Sequence, residues 1–265
     1  MKLAIIGCGR MGEAILAGLL KAGTLAADDI VATQPDDARR AYLHETYGVT
    51  CYKDNTQIGT ADVVLLAVKP QVIDLVVKKM SASGVLGGNQ LILSIAVGIS
   101  AKRLEGNLAE GAHVVRVMPN TPALVGFGMS VISAGTHANA DDIAQAQLIC
   151  NAIGDTVVLD EKFQDTCSAL SGSGPAYFEL IADALSRAGV RHGLARDVAQ
   201  KLVVSTMRGT AELIEQTGEH PQVLIDQVTS PGGTTIAALE TMEKEGLRSS
   251  LTEGVAAAIA RAKEL

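Results

Sequence analysis

Gly7-Cys8-Gly9-Arg10-Met11-Gly12 stands directly after the apolar run Leu3-Ala4-Ile5-Ile6 and ahead of the helical pattern Ala14, Ile15, Leu16, Leu19, Leu20. At this spacing the first glycine permits a tight turn, the second lets backbone approach a pyrophosphate, and the third lets helix pack on strand. The N–H groups of the first helical turn stay free to hold phosphates. The order strand, glycine turn, helix therefore predicts a dinucleotide site. Two more segments have the composition of a binding loop: Ser171-Gly172-Ser173-Gly174-Pro175 and Ser230-Pro231-Gly232-Gly233-Thr234-Thr235. Each precedes a helical pattern, so each reads as a row of unpaired N–H groups and hydroxyls suited to a small carboxylate, or as a plain interhelical loop with good N-caps. Two such loops in a dinucleotide-binding chain tilt the reading toward a substrate site.

Residues at the ends of apolar runs supply the rest of the candidate site. Where the second run closes, the chain reads Ala32-Thr33-Gln34-Pro35, with no acidic residue for a ribose 2′-hydroxyl. A neutral end with donors from Thr33 and Gln34, and with Arg39 or Arg40 nearby, suits a 2′-phosphate; the other reading is a polar turn with solvated arginines. Asn55 follows the third run, either near the cofactor or as an ordinary helix cap. The fourth run ends Ala67-Val68-Lys69-Pro70, where Pro70 opens the next helix and Ala67, Val68 and Lys69 are placed to line a cofactor; alternatively Lys69 is solvated. Met118-Pro119-Asn120-Thr121-Pro122 has two prolines in four residues, a rigid loop in which Asn120 reaches the nicotinamide side or merely holds a turn.

These residues need a scaffold, and the hydrophobic pattern describes one. Short aliphatic runs at 3–6, 30–33, 49–52, 62–68, 90–95, 113–118, 129–134 and 156–159 read as eight strands, with helices near 36–47 and 141–153. After Asp160 the strand-like runs stop and every later segment repeats near 3.6 residues. One helix runs from Ala176 to end at Gly189. Another, Ala195–Glu215, carries apolar residues on more than one face, a surface that needs a partner. The expected fold class is α/β: an N-terminal Rossmann-type doubly wound sheet over residues 1–160, then an all-α substrate and dimerisation domain over 161–265. The 265 residues suit two domains, and with 48% hydrophobic but only 3% aromatic residues the core must be aliphatic, as buried parallel strands require.

Composition also narrows the partners. A formal charge of −7 with no Lys/Arg cluster argues against nucleic acid. No apolar stretch reaches membrane-spanning length, and Met1-Lys2 runs straight into the first strand, so a cytoplasmic location is expected. Cys8, Cys51, Cys150 and Cys167 are scattered, and the five histidines form no ligand pattern, so neither metal nor disulfide chemistry is expected. The helical half shows no Ser/His/Asp order and no paired-carboxylate signature. Hydride transfer needs little beyond positioning and a mild proton donor, which fits that absence.

The motifs together resemble the Δ1-pyrroline-5-carboxylate reductase family. The likeness runs nearly end to end and rests on the glycine turn, Ala67-Val68-Lys69-Pro70-Gln71, Met118-Pro119-Asn120-Thr121-Pro122, Ser171-Gly172-Ser173-Gly174-Pro175-Ala176-Tyr177-Phe178 and Val228-Thr229-Ser230-Pro231-Gly232-Gly233-Thr234-Thr235. The resemblance implies NADPH, or NADH in its place, delivering hydride to the ring imine carbon of pyrroline-5-carboxylate to give L-proline. It implies a helical domain that interlocks with a second subunit, giving a homodimer or a larger assembly of dimers. By motif match, Gly7, Cys8, Gly9, Arg10, Met11, Gly12, Thr33, Gln34, Asn55, Ala67, Val68, Lys69, Pro70 and Asn120 would surround the cofactor. Ser173, Ser230, Gly232, Gly233, Thr234 and Thr235 would hold the substrate, with the Thr235 hydroxyl on the ring nitrogen. Some members carry a glutamate three residues before the proline that is Pro221 here; this chain has Gly218 there, with Glu219 adjacent. The nearest rivals are a β-hydroxyacid dehydrogenase or imine reductase, which would place a catalytic Lys or Asp on the helix from Ala176, and a sensor that keeps the fold without turnover.

Overall fold

A computed structural model describes residues 1–264; Leu265, the last residue of the expected helical domain, lies outside the described residues. The chain forms two compact units, Met1–Ser173 together with the last residues from Arg261, and Gly174–Ala260.

The first unit holds eight strands and six helices. The strands are β1 (Leu3–Ile6), β2 (Ile30–Thr33), β3 (Thr50–Tyr52), β4 (Val63–Leu66), β5 (Leu91–Ser94), β6 (His113–Met118), β7 (Gly128–Ala134) and β8 (Gly154–Val158). The helices are α1 (Arg10–Lys21), α2 (Asp37–Tyr47), α3 (Ile73–Ala82), α4 (Ala101–Glu105), α5 (Ala140–Cys150) and α6 (Gln164–Cys167). One sheet runs β3-β2-β1-β4-β5-β6-β7-β8, parallel throughout except where β6 meets β7. All eight expected strands are present, with the fourth three residues shorter than its run because Asp62 precedes the strand and Ala67 and Val68 turn out of the sheet.

Both faces of the sheet are covered, which is why its central strands are apolar without alternation. Leu3, Ile5, Val63 and Leu65 pack with Ile15, Leu16 and Leu19 of α1 and Ile149 of α5. Ala4, Ile6, Val64 and Leu66 pack with Ile73, Val77 and Met80 of α3 and Leu104 of α4. The order of connection reverses between β1 and β4, so the switch point of a doubly wound sheet lies at the carboxyl ends of those strands.

The second unit is helical: α7 (Gly174–Arg191), α8 (Arg196–Thr217), α9 (Pro221–Gln227), α10 (Thr234–Lys244) and α11 (Leu247–Ala262, whose last residues belong to the first unit). Two sequence expectations need correction. Gly189 does not end α7. Instead it lies inside the helix, where a Cβ would come within 3.0 Å of the Ala199 Cβ, so glycine permits the close crossing of α7 and α8. Residues 171–174 are not a loop, since Ser168–Gly172 wind as a π-helix that leads straight into α7. The Ser173 amide consequently donates to Ser168 O at 2.8 Å and is not free to bind an anion.

In this second unit only Gly174, Ser186 and Ala199 are buried. Leu180 is 70% exposed, Phe178 62% and Leu202 56%. A helical unit that leaves its large apolar side chains outside has not built its own core, and the wide apolar surfaces read from the sequence are here in the open.

Candidate functional site

The glycine turn sits between β1 and α1 at the switch point, and each glycine has a distinct physical reason. Gly7 has φ +83°, and a Cβ there would lie 2.6 Å from Val68 Cγ1. Gly12 lies against Ile5 and Ala67, with a Cβ placed 3.3 and 3.4 Å from their side chains, so it sets the helix close to the strands. At Gly9 a Cβ would meet nothing nearer than the Gly7 carbonyl at 4.0 Å; it would project into open space. The amides of Cys8 and Gly9 are bonded to Thr33 O and Gly7 O, and that of Glu13 to Gly9 O, whereas those of Arg10, Met11 and Gly12 have no acceptor among the described residues. Three free amides at a helix N-terminus, beside the one glycine whose Cβ would fill the space they face, fit a pyrophosphate. Arg10 is exposed beside them. Cys8 is fully buried, and burial first, then Cys51 nearby, push its thiol up to about 12, so it is a packing residue and not a nucleophile.

At the end of β2 the structure revises two roles. Thr33 is fully buried; its hydroxyl accepts from the Gly7 amide at 3.2 Å and donates to Asn55 Oδ1 at 2.6 Å. It thus braces the underside of the glycine turn and offers no free donor to a 2′-phosphate. Asn55 is the other half of that brace and not the cap of its own short helix, a role taken by Asp54. Lys79 beside Asp54 holds that carboxyl down at about 2. Gln34 remains partly exposed, with its Nε2 donating to Cys8 O at 3.2 Å. Arg40 Nη1 donates to the carbonyls of Gln34 and Pro35 at 2.8 and 2.9 Å, fixing a cation at this strand end. Arg39 is occupied otherwise: it pairs with Glu13 and lies over the Tyr42 ring.

Ala67 and Val68 follow β4 at the switch point, with the Ala67 amide bonded to Ile6 O, and Lys69 is exposed next to Pro70, which opens a short helix as expected. Asn120 is buried, and both ends of its amide are engaged: Nδ2 donates to Ser171 O at 3.0 Å and Oδ1 accepts from the Met129 amide at 2.8 Å. Its side chain ties the two-proline loop to β7 and to the π-helix and is not left for a nicotinamide. That bond also explains the wide turn, because the π-helix frees the Ser171 carbonyl for Asn120.

In the second unit, Ser230–Gly233 turn into the start of α10. Gly232 has φ +65°, and the Gly233 amide closes the turn on Ser230 O at 3.0 Å. The amides of Gly232, Thr234 and Thr235 and the hydroxyls of Ser230, Thr234 and Thr235 have no partner among the described residues. Free amides and hydroxyls at a helix start are the donors a small carboxylate would need. Gly218, where some members have glutamate, closes α8 at φ +63° with its amide on Ile214 O. The left-handed cap favours glycine there.

A doubly wound sheet with a glycine turn and three free amides at its switch point, followed by a helical unit whose α10 opens in a hydroxyl-rich turn, fits the class of a dinucleotide-dependent oxidoreductase with an α-helical second domain. Among known families, the model for pyrroline-5-carboxylate reductase dimerisation matches residues 161–265, and that for NADP oxidoreductase, coenzyme F420-dependent, matches residues 2–98. The pyrroline-5-carboxylate reductase of Synechocystis is 45% identical over all of this chain and 98% of its own length; that of Arabidopsis thaliana is 39% identical over all of this chain and 95% of its own. The solved pyrroline-5-carboxylate reductase of Coxiella burnetii superposes with a TM-score of 0.93 at 34% identity, covering 99% of this chain and 97% of that one. That of Plasmodium falciparum, solved with NADP bound, gives 0.88 at 29% identity over 100% and 97%. The chain belongs to the pyrroline-5-carboxylate reductase family.

Proposed function

We propose that this chain reduces Δ1-pyrroline-5-carboxylate to L-proline, the last step of proline biosynthesis, with NADPH as donor and NADH as the alternative. The observation that carries this reading is the 45% identity maintained over the full chain to a pyrroline-5-carboxylate reductase. The free amides of Arg10, Met11 and Gly12 support it, as does the anion cradle at Ser230–Thr235. The nicotinamide, when bound, supplies hydride to the imine carbon. The chain's own part is to hold and orient. Gly7–Gly12 take the pyrophosphate. Gln34, with Arg40 beside it, faces the adenosine ribose, while Thr33 and Asn55 brace the turn. Ala67–Pro70 line the cofactor at the switch point, and Asn120 shapes the loop beside it.

In this reading the backbone amides of Gly232, Thr234 and Thr235, with Ser230, take the substrate carboxylate. The Thr235 hydroxyl donates to the ring nitrogen and is the candidate catalytic residue. Ser173, its amide spent on Ser168 O, enters only through its hydroxyl. Only the hydroxyacid version of the dehydrogenase rival loses ground, because α7 carries Glu179 and Asp183 but no lysine. The working unit is a homodimer, with larger assemblies of dimers part of the proposal, as is a cytoplasmic setting like that of a metabolic reductase. The domain division at 160/161 is kept as the functional boundary, because the dimerisation model begins at residue 161. Purified protein with NADPH and pyrroline-5-carboxylate should lose nicotinamide absorbance in step with proline formed. Cofactor binding without proline formation would leave only a sensor.

A further inference from the structure

Arg116 stands in the middle of β6, paired in register with Ser94 of β5 and Ser133 of β7, and is buried among valines. A guanidinium in such a place must be compensated, and it has one anionic partner among the described residues. Glu161 Oε1 accepts from Arg116 Nη1 at 3.1 Å. The same oxygen accepts from the backbone amide of Ala101 at 2.8 Å. One carboxylate therefore ties together three pieces of chain: the centre of β6, the first residue of α4, and the short turn after β8. Gln164, three residues further on, secures that last piece by donating to Val131 O and Ser133 Oγ on β7.

What this tie fixes is the exit of β5. Residues 95–100 run from the strand to α4 through Gly98 at φ +72°, and Val97 is 46% exposed. They edge a cleft of about 380 Å³ at the carboxyl ends of β4 and β5, lined by Pro70, Gln71, Val97, Gly98, Ile99 and Arg103. In a doubly wound sheet the β1–β3 half takes the adenosine side of a dinucleotide, and the half beginning at β4 takes the other nucleotide. The turn held by Glu161 thus belongs to the half that orients the nicotinamide.

We propose that Glu161, oriented by Arg116, is a positioning residue for the nicotinamide half of the cofactor: it caps the start of α4 and so sets the β5–α4 turn. This rests on the reading of the chain as an NAD(P)H-dependent enzyme. In this proposal Glu161 is a contact of Ala101 and Arg116 and not of cofactor or substrate. Its effect passes through the Ala101 amide.

Two variants and two nucleotides test this. Glu161→Ala removes the whole tie and leaves Arg116 buried without its partner. Ala101→Pro removes the amide donor and sets a ring carbon against Glu161 Oε1, so the carboxylate is pushed off the start of α4; Ser100, at φ −73° and ψ 154°, already has the backbone a following proline requires, and proline suits a first helical position. Kd is measured for NADPH and for 2′,5′-ADP, which occupies only the adenosine half, alongside kcat and the primary isotope effect with 4-deuterated NADPH. Both variants should weaken NADPH and lower kcat by roughly tenfold, the scale of a misplaced reacting group. The isotope effect should rise and the 2′,5′-ADP Kd stay within about twofold, as expected when only the nicotinamide half is disturbed. Equal losses for the two nucleotides would make the tie a structural brace only. Wild-type NADPH affinity and kcat in Ala101→Pro would overturn the proposal even if Glu161→Ala fails to fold. The affinity measurements stand whether or not pyrroline-5-carboxylate is the substrate, so failure of that assignment is separable.

Discussion

Gly7 and Gly9 are two residues apart, yet the structure demands opposite behaviour from their alanine variants. Gly7→Ala puts an alanine at φ +83° with its Cβ 2.6 Å from Val68 Cγ1 and 3.2 Å from both the Cα and N of Val68. A left-handed alanine costs about 1–2 kcal/mol, and overpacking against backbone that cannot rotate away adds about 1–3 kcal/mol. The sum, roughly 2–5 kcal/mol, corresponds to a Tm lower by about 5–15 °C for a chain of this size. Gly9→Ala meets no atom within van der Waals range, and at φ −80° it asks nothing unusual of the backbone. Its stability should stay within about 0.5 kcal/mol of the wild type, the usual range for a surface change. The added methyl instead stands where a pyrophosphate approaches the three free amides. Loss of one charged hydrogen bond is worth about 1.5–3 kcal/mol, which is roughly a 10- to 150-fold weaker NADPH Kd. Thermal melts without cofactor, at one fixed protein concentration because subunit association contributes to Tm, and NADPH titration by fluorescence separate the two. Gly9→Ala binding NADPH within about threefold of wild type, well short of one lost charged bond, would refute the cradle. An undiminished Tm for Gly7→Ala would refute the close approach to Val68.

Thr235→Ala is expected to lower kcat about tenfold to a hundredfold with NADPH affinity nearly intact, the scale of a positioned acid that water partly replaces; equal loss in Thr234→Ala would reduce the hydroxyl to a helix-start feature. Gln34→Asp should harm kcat/KM for NADPH more than for NADH, since it sets a carboxylate where a 2′-phosphate would lie; symmetrical losses place the 2′ position elsewhere. Burial raises the Glu13 pKa, but its bonds to Arg39, Tyr47 and Tyr42 outweigh this and hold it below the usual glutamate range. The stabilisation is then present above the ordinary value near 4.3 and lost as pH falls through the lower folded value. Glu13→Gln should therefore cost about 1 kcal/mol at neutral pH and progressively less in acid, and a pH-independent difference in denaturant unfolding would contradict this. Light scattering should find dimers or multiples of dimers. A fully active monomer would mean the apolar faces of α7 and α8 are covered some other way.

Much of this architecture was legible because its causes are local. A β-branched run, a glycine turn and an amphipathic stretch each constrain a few neighbouring residues, so all eight strands stand where aliphatic runs end at turn residues. The positions of the proposed site residues were legible for the same reason: they fall just past the carboxyl ends of strands, where the crevice of such a sheet opens. What spacing does not carry is the direction in which a side chain spends its hydrogen bonds. Thr33 and Asn120 lie at the expected strand ends, yet Thr33 turns under Gly7 to Asn55, and Asn120 bridges Met129 and Ser171. Those partners are 9 to 51 residues away in sequence.

The same limit accounts for the π-helix. Ser171-Gly172-Ser173-Gly174 has the composition of a loop, and local preference alone would leave its amides free to bind an anion. Tertiary bonding decides otherwise. Asn120 needs an acceptor, the Ser171 carbonyl supplies it, and the backbone widens by one residue while the Ser173 amide still finds Ser168 O. The Ser230 loop has a similar composition, but no such partner engages its carbonyls or hydroxyls, so its turn stays open at the start of α10 with amides to spare. Of two segments that read alike, only the one without a long-range claimant keeps its donors free among the described residues.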